Sequence, residues 1–184
     1  MTRYAPVAIL LHWIIAALIL ANLYVGWRMG VIDGLARFEL FQLHKSLGIS
    51  VLLLSVLRLG WRLTHRPPAY PAAMKPYEKL AASAVHWAFY AIMIVMPLTG
   101  WLMVSTSPMN LPTLLFKTVP WPHLPVHDLA LPVRTAIGGL SQGTHVALAF
   151  GTAALVILHV GAALKHQFVT RDNVLGRMLP FLRD

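Results

Sequence analysis

Residues 143–165 read GTHVALAFGTAALVILHVGAALK, a run whose only charge is its last lysine and which carries one histidine near its start and another toward its end. About 20 consecutive apolar residues cross a hydrocarbon core about 30 Å thick, and an ionisable side chain at such depth is costly enough to mark function. His145 and His159 are 14 residues apart. At about 100° and 1.5 Å per helical residue they return to within roughly 40° of one face and stand about 21 Å apart. One helix therefore offers an imidazole at each of two depths.

Residues 5–27, 41–63 and 80–104 form three more apolar runs of similar length. The chain is 58% hydrophobic and only 11% charged, with mean hydropathy +0.67, too few charges to cover a soluble surface. The expected fold is all-α: an integral membrane four-helix bundle forming a single domain over residues 1–184. The first run is too long for a signal-peptide core and lacks an obvious cleavage pattern, so it reads as a retained helix. Cysteine is absent, which excludes disulfides, covalent c-type haem attachment and iron–sulfur clusters held by this chain's thiolates.

The net charge of +9 sits at the ends of apolar runs and not along a soluble face, so no nucleic-acid partner is expected. Four crossings put both termini on one side. That side collects Arg3, Arg58, Arg62, Arg66, Lys75, Lys79, Lys165, Arg171, Arg177 and Arg183, against Arg28, Arg37, Lys45, Lys117 and Arg134 on the other. The positive-inside rule then places both termini in the cytoplasm. The connector 64–79 is proline-rich and stiff. The loop 105–142 carries Pro108, Pro112, Pro120, Pro122, Pro125 and Pro132 beside Leu114, Leu115, Phe116 and Trp121. Too apolar for a free linker and too broken to span, it is expected to fold back over the outer helix ends.

Five of the nine histidines fall inside the apolar runs. His12, His86 and His159 each lie about six residues from the cytoplasmic end of their run, roughly 9 Å deep. His44 and His145 lie near the outer ends and form a second level. Taken singly, each is equally well a hydrogen-bonded packing residue. At two coherent levels they suit low-spin b-type haem, which takes two axial imidazoles from opposite sides. His44 with His145 is the outer pair; inside, His12 and His86 compete to oppose His159. Arg58 follows His44 by 14 residues and suits a haem propionate as well as a snorkelling anchor. Gly48, Gly100 and Gly151 leave room for a flat macrocycle or for helix packing. His65, His123 and His127 fall in loops, where solvated histidine is the default.

Leu11-His12-Trp13, the run His44-Lys45-Ser46-Leu47-Gly48, His86, the His145 and His159 pair, and Lys165-His166-Gln167-Phe168 followed by Asp172-Asn173 and Arg177-Met178 together resemble the bacterial cytochrome b561 family over nearly the whole chain. The dihaem subunits of membrane hydrogenases and formate dehydrogenases are similar in architecture. The resemblance implies two haem b groups in a bacterial inner-membrane protein, with helix 4 ligating both, helix 1 supplying His12 opposite His159 and helix 2 supplying His44 opposite His145.

Members of that family include superoxide:ubiquinone oxidoreductases, and no flavin or nucleotide motif equips this chain for nicotinamide chemistry. Superoxide, or another small periplasmic donor, and ubiquinone are therefore the expected partners. Lys45, Lys117 and Arg134 are candidates for steering superoxide, and His86, Arg62, Lys165 and His166 for a quinone or proton site. Two other readings stay open: an electron-transfer subunit docked to a larger dehydrogenase or hydrogenase, and a haem-free, histidine-lined metal or proton transporter. Against the transporter, none of the six acidic residues lies in an apolar run, where metal transport would want carboxylates.

Overall fold

A computed structural model of the chain describes residues 3–179; Arg183, used in the charge count above, lies outside them. Four long helices dominate: α1 (Pro6–Met29), α2 (Gly34–Thr64), α3 (Pro76–Thr106) and α4 (Leu131–Lys165). Their lengths of 24 to 35 residues suffice, at about 1.5 Å per residue, to cross a bilayer core. A hairpin of β1 (Thr113–Leu115) and β2 (Val119–Trp121) joins α3 to α4. After α4 come a π-helical turn, His166–Thr170, and a 3-10 turn, Leu175–Arg177.

The helices run past the limits that hydropathy sets. The second begins at Gly34, seven residues before the apolar run, so His44 stands ten residues inside it and not three. The fourth begins at Leu131, twelve residues before position 143. Polar residues such as Arg37 and Glu39 end a hydropathy window without ending a helix. Pro132 reads as a breaker in sequence, yet in the first turn of α4 its missing N–H costs nothing, because those donors have no intrahelical acceptor anyway. In α3, Pro76 opens the helix and Glu78 Oε2 accepts from the Lys75 N–H at 3.1 Å.

Packing follows chain order. The first helix packs on the second, the second on the third and the third on the fourth, whereas α1 and α4 make no comparable contact. Ile15, Val51, Tyr90 and Met93 form the buried core, drawn from α1, α2 and α3. The outward faces are apolar: Leu10, Trp27, Phe150 and Ile157 are each more than half exposed. So large an apolar surface suits hydrocarbon and not water. Several hydroxyls within the helices turn back on their own backbone, as with Ser50 on Ser46 O at 2.9 Å and Thr152 on Leu148 O at 2.7 Å, while Ser55 Oγ is buried without a hydrogen-bond partner among the described residues.

The hairpin is the one element the residues do not announce. Its turn places Phe116 and Lys117 at φ 49° and 63°, the left-handed region that Asn or Gly usually takes in such turns. The structure holds it from outside. Gln42 Nε2 donates to Pro112 O at 3.1 Å and its Oε1 accepts from the Leu114 N–H at 3.4 Å, while Ser46 Oγ accepts from the Phe116 N–H at 2.9 Å. Gln42 and Ser46 are buried, and each satisfied bond of this kind contributes about 1 kcal/mol. The 105–142 segment thus folds back over the helix ends as a hairpin riveted to α2, with its last third helical.

Candidate functional site: two levels of facing imidazoles

At the hairpin end of the bundle, His44 on α2 faces His145 on α4 with ring centroids 5.9 Å apart and planes at 75°. An imidazole nitrogen bonds a metal at about 2 Å, so two opposed rings on one metal stand roughly 6 Å apart, centre to centre. The spacing fits one metal between them.

Local structure fixes each ring. His145 Nδ1 lies 3.0 Å from Met96 O and 3.1 Å from Thr99 Oγ1, and Thr99 itself donates to Met96 O at 2.7 Å. These residues flank Pro97, which interrupts the α3 ladder. Because a carbonyl only accepts, Nδ1 carries the proton and Nε2 keeps a lone pair, the tautomer a metal ligand requires. His44 Nδ1 is buried with no hydrogen-bond partner among the described residues, and so is Asn22 Oδ1. Both rings lie on glycines. A Cβ at Gly26 would come 3.3 Å from His44 Cε1, and one at Gly100 3.0 Å from His145 Cε1. A glycine on the neighbouring helix makes the cradle in each case. Of the other glycines with an expected role, Gly48 approaches only Asn22, and Gly151 has nothing within 4 Å.

At the opposite end of the bundle, three histidines gather. His159 on α4 is 6.2 Å from His12 on α1 and 5.8 Å from His86 on α3, centroid to centroid, with Phe89 at 5.4 Å. Arg58 Nη1 donates to His12 Nδ1 at 3.0 Å, which puts the neutral ring's proton on Nε2. Arg58 also lies 6.0 Å over Tyr90, and Arg62 lies 5.7 Å over both Tyr90 and Trp87. Neither arginine is ion-paired among the described residues, an arrangement suited to carboxylates of a bound cofactor. Beside them, burial and Tyr70 push the Tyr4 phenol up against the pull of Arg62, Arg177 and Arg58.

The remaining sequence candidates are dispersed. Lys45 Nζ donates to Pro112 O at 3.1 Å and lies over Phe41. Lys117 pairs with Glu39 at 3.3 Å. Arg134 donates to Ser107 O at 3.3 Å and His127 O at 3.5 Å. Lys165 pairs with Glu78 at 2.7 Å, and His166 with Asp172 at 2.7 Å, so neither joins the His86 and Arg62 cluster. His65 stacks on Trp61 at 3.7 Å. His123 and His127, expected to be solvated, instead bury their Nε2 atoms, because the hairpin folds the loop onto the helix ends.

Facing imidazoles at two levels of a bundle whose four helices are long and apolar enough to cross a membrane suit a membrane protein that holds metal-centred cofactors. The model of the prokaryotic cytochrome b561 family matches residues 3–181, and the chain belongs to that family. It is 30% identical to cytochrome b561 homolog 2 of Escherichia coli (strain K12) over 180 residues, covering 96% of this chain and 91% of the relative. It is 27% identical to cytochrome b561 homolog 1 of the same organism, over 98% of each chain. A probable superoxide oxidase CybB of Yersinia pestis is 26% identical, over 97% of this chain and 96% of the relative. Membership implies haem b and electron transfer within a bacterial membrane.

Proposed function

We propose that the chain is a dihaem b-type cytochrome that passes electrons from superoxide, or another small periplasmic donor, to ubiquinone. The observation that carries this reading is the spacing of facing imidazoles, 5.9 Å for His44 and His145 and 6.2 Å for His12 and His159, at two depths of one bundle. Haem b between two imidazoles supplies one-electron storage and transfer. His12 is preferred over His86 as partner of His159 because α3 and α4 pack directly, leaving no slot for a macrocycle, whereas α1 and α4 do not. Arg58 would then hold a propionate, leaving His12 Nδ1 free to carry the ring proton and Nε2 to keep its lone pair. Both termini face the cytoplasm, as the lysine and arginine balance favours.

Two superoxide anions each give up one electron and leave as O2; ubiquinone takes both electrons and two protons to become the quinol. At the outer face Lys45 holds a positive charge close to His44, while Lys117 is largely offset by Glu39 and Arg134 braces the loop. At the inner face His86 hands a proton to the reduced quinone from a ring nitrogen, and Arg62 attracts the head group's developing negative charge. Lys165 and His166 are engaged by Glu78 and Asp172. The similarity to a probable superoxide oxidase over nearly the full length supports the donor.

The test follows the reduced haem α-band of purified protein. A superoxide generator alone should reduce it, short-chain ubiquinone should reoxidise it, and superoxide dismutase should abolish the reduction. Haem that dithionite reduces but superoxide does not would instead favour a docked dehydrogenase as donor.

The glycine cradle gives a second expected result. Gly100→Val would drive the His145 ring off its carbonyl anchor at an overpacking cost of about 1–3 kcal/mol. The change should appear as a shifted low-spin electron paramagnetic resonance (EPR) signal for one haem, with the other unmoved.

A further inference from the structure

The loop beyond β2 holds a further pair of imidazoles that the proposed electron path does not use. His123 and His127 line an open cavity of about 350 Å³ together with Asn110, Thr113 and Trp121. Their ring centroids are 6.1 Å apart with planes at 23°, inside the roughly 6.4 Å that two imidazoles on one ion can span. His123 Nδ1 lies 3.1 Å from Asn110 Oδ1. An amide oxygen accepts, so Nδ1 bears the proton and the His123 Nε2 keeps its lone pair. His123 Nε2, His127 Nε2 and Trp121 Nε1 are all buried with no hydrogen-bond partner among the described residues.

Bare buried polar atoms are costly, and three of them on residues that line one cavity point to a ligand. An anion would meet the lone pair of His123, which is unfavourable; a metal cation would be bound by it. The loop is also braced. Trp121 packs on Trp101 at 5.5 Å, and Trp101 Nε1 donates to Pro122 O at 2.8 Å. Trp101 follows Gly100, the residue against which His145 rests.

We propose that His123 and His127 bind a copper ion through their Nε2 atoms on the hairpin face, in a site separate from both haem levels. Imidazole ligands suit several divalent metals, and with only two of them on offer the ion must be one that binds nitrogen most tightly. In the first-row series that is Cu(II). Solvent completes the coordination, and the Trp121 N–H is available to a bound water.

The experiment titrates Cu(II) into the untagged, haem-loaded, full-length chain in detergent, removes excess metal by gel filtration, and reads stoichiometry by metal analysis and ligation by EPR. One copper per chain, with hyperfine structure from imidazole nitrogen, is expected. His123→Ala or His127→Ala should weaken binding at least about tenfold while the haem spectrum stays unchanged. His123→Gln and His127→Gln, which keep side-chain bulk, should do the same even if the alanine variants lose haem through misfolding. Equal copper uptake by wild type and by the double glutamine variant would overturn the site, as would a wild-type copper signal without imidazole nitrogen.

Discussion

His145→Ala is expected to purify with half the haem of the wild type and to retain a single low-spin signal. The ring at 145 is fixed in tautomer by Met96 O and in position by Gly100 and Thr99. Alanine removes the nitrogen, and among the described residues no other histidine lies within ring contact of His44 to replace it. Removing one axial ligand from a buried site leaves the opposite bond with nothing to complete the coordination. The inner haem, about 21 Å away along α4 by helical rise, should keep its spectrum and potential. Pyridine haemochrome quantification against protein checks the ratio. Full haem content in His145→Ala would remove the outer ligand assignment.

The inner level sets a sharper contest. His12→Ala is expected to lose the inner haem, and His86→Ala to keep both haems while slowing quinone reduction by about 10²-fold, the usual share of a positioned proton donor. His159 is within ring contact of both candidates, at 6.2 and 5.8 Å, so distance alone does not choose. The proposed pairing with His12 rests on helix packing, since α3 lies directly on α4 whereas α1 stands off from it. Haem content and quinol formation, measured on the same preparations, separate the two roles. Loss of a haem in His86→Ala with His12→Ala harmless would reverse the pairing.

Much of this site is written in one spacing. Fourteen residues separate His145 from His159, the pair that opened the reading, and also His44 from Arg58, His12 from Gly26 and His86 from Gly100. Fourteen helical residues return nearly to the same face, so all four helices present a matched residue at both levels. The histidines and Arg58 are legible because charge or polarity in an apolar run is conspicuous. Gly26 is not, since a glycine near a helix end is ordinary, and only its approach to His44 gives it a purpose. Met96 was equally hidden, because it acts through a backbone carbonyl that any residue would supply.

By itself, the sequence determined that the chain is a four-helix membrane bundle and pointed to histidines within its apolar runs as the candidates for its chemistry. Both follow from composition and period, because a hydrocarbon solvent admits long apolar helices and penalises any polar group without a task. Tertiary structure alone decided where the helices end, since the first turn of a helix tolerates proline and its polar ends continue beyond the apolar core. It also decided the hairpin, whose turn lacks Asn-Gly and is held by Gln42 and Ser46 of another element. Such long-range hydrogen bonds leave no local mark in the chain, and they turn His123 and His127 from solvated loop residues into the lining of a cavity.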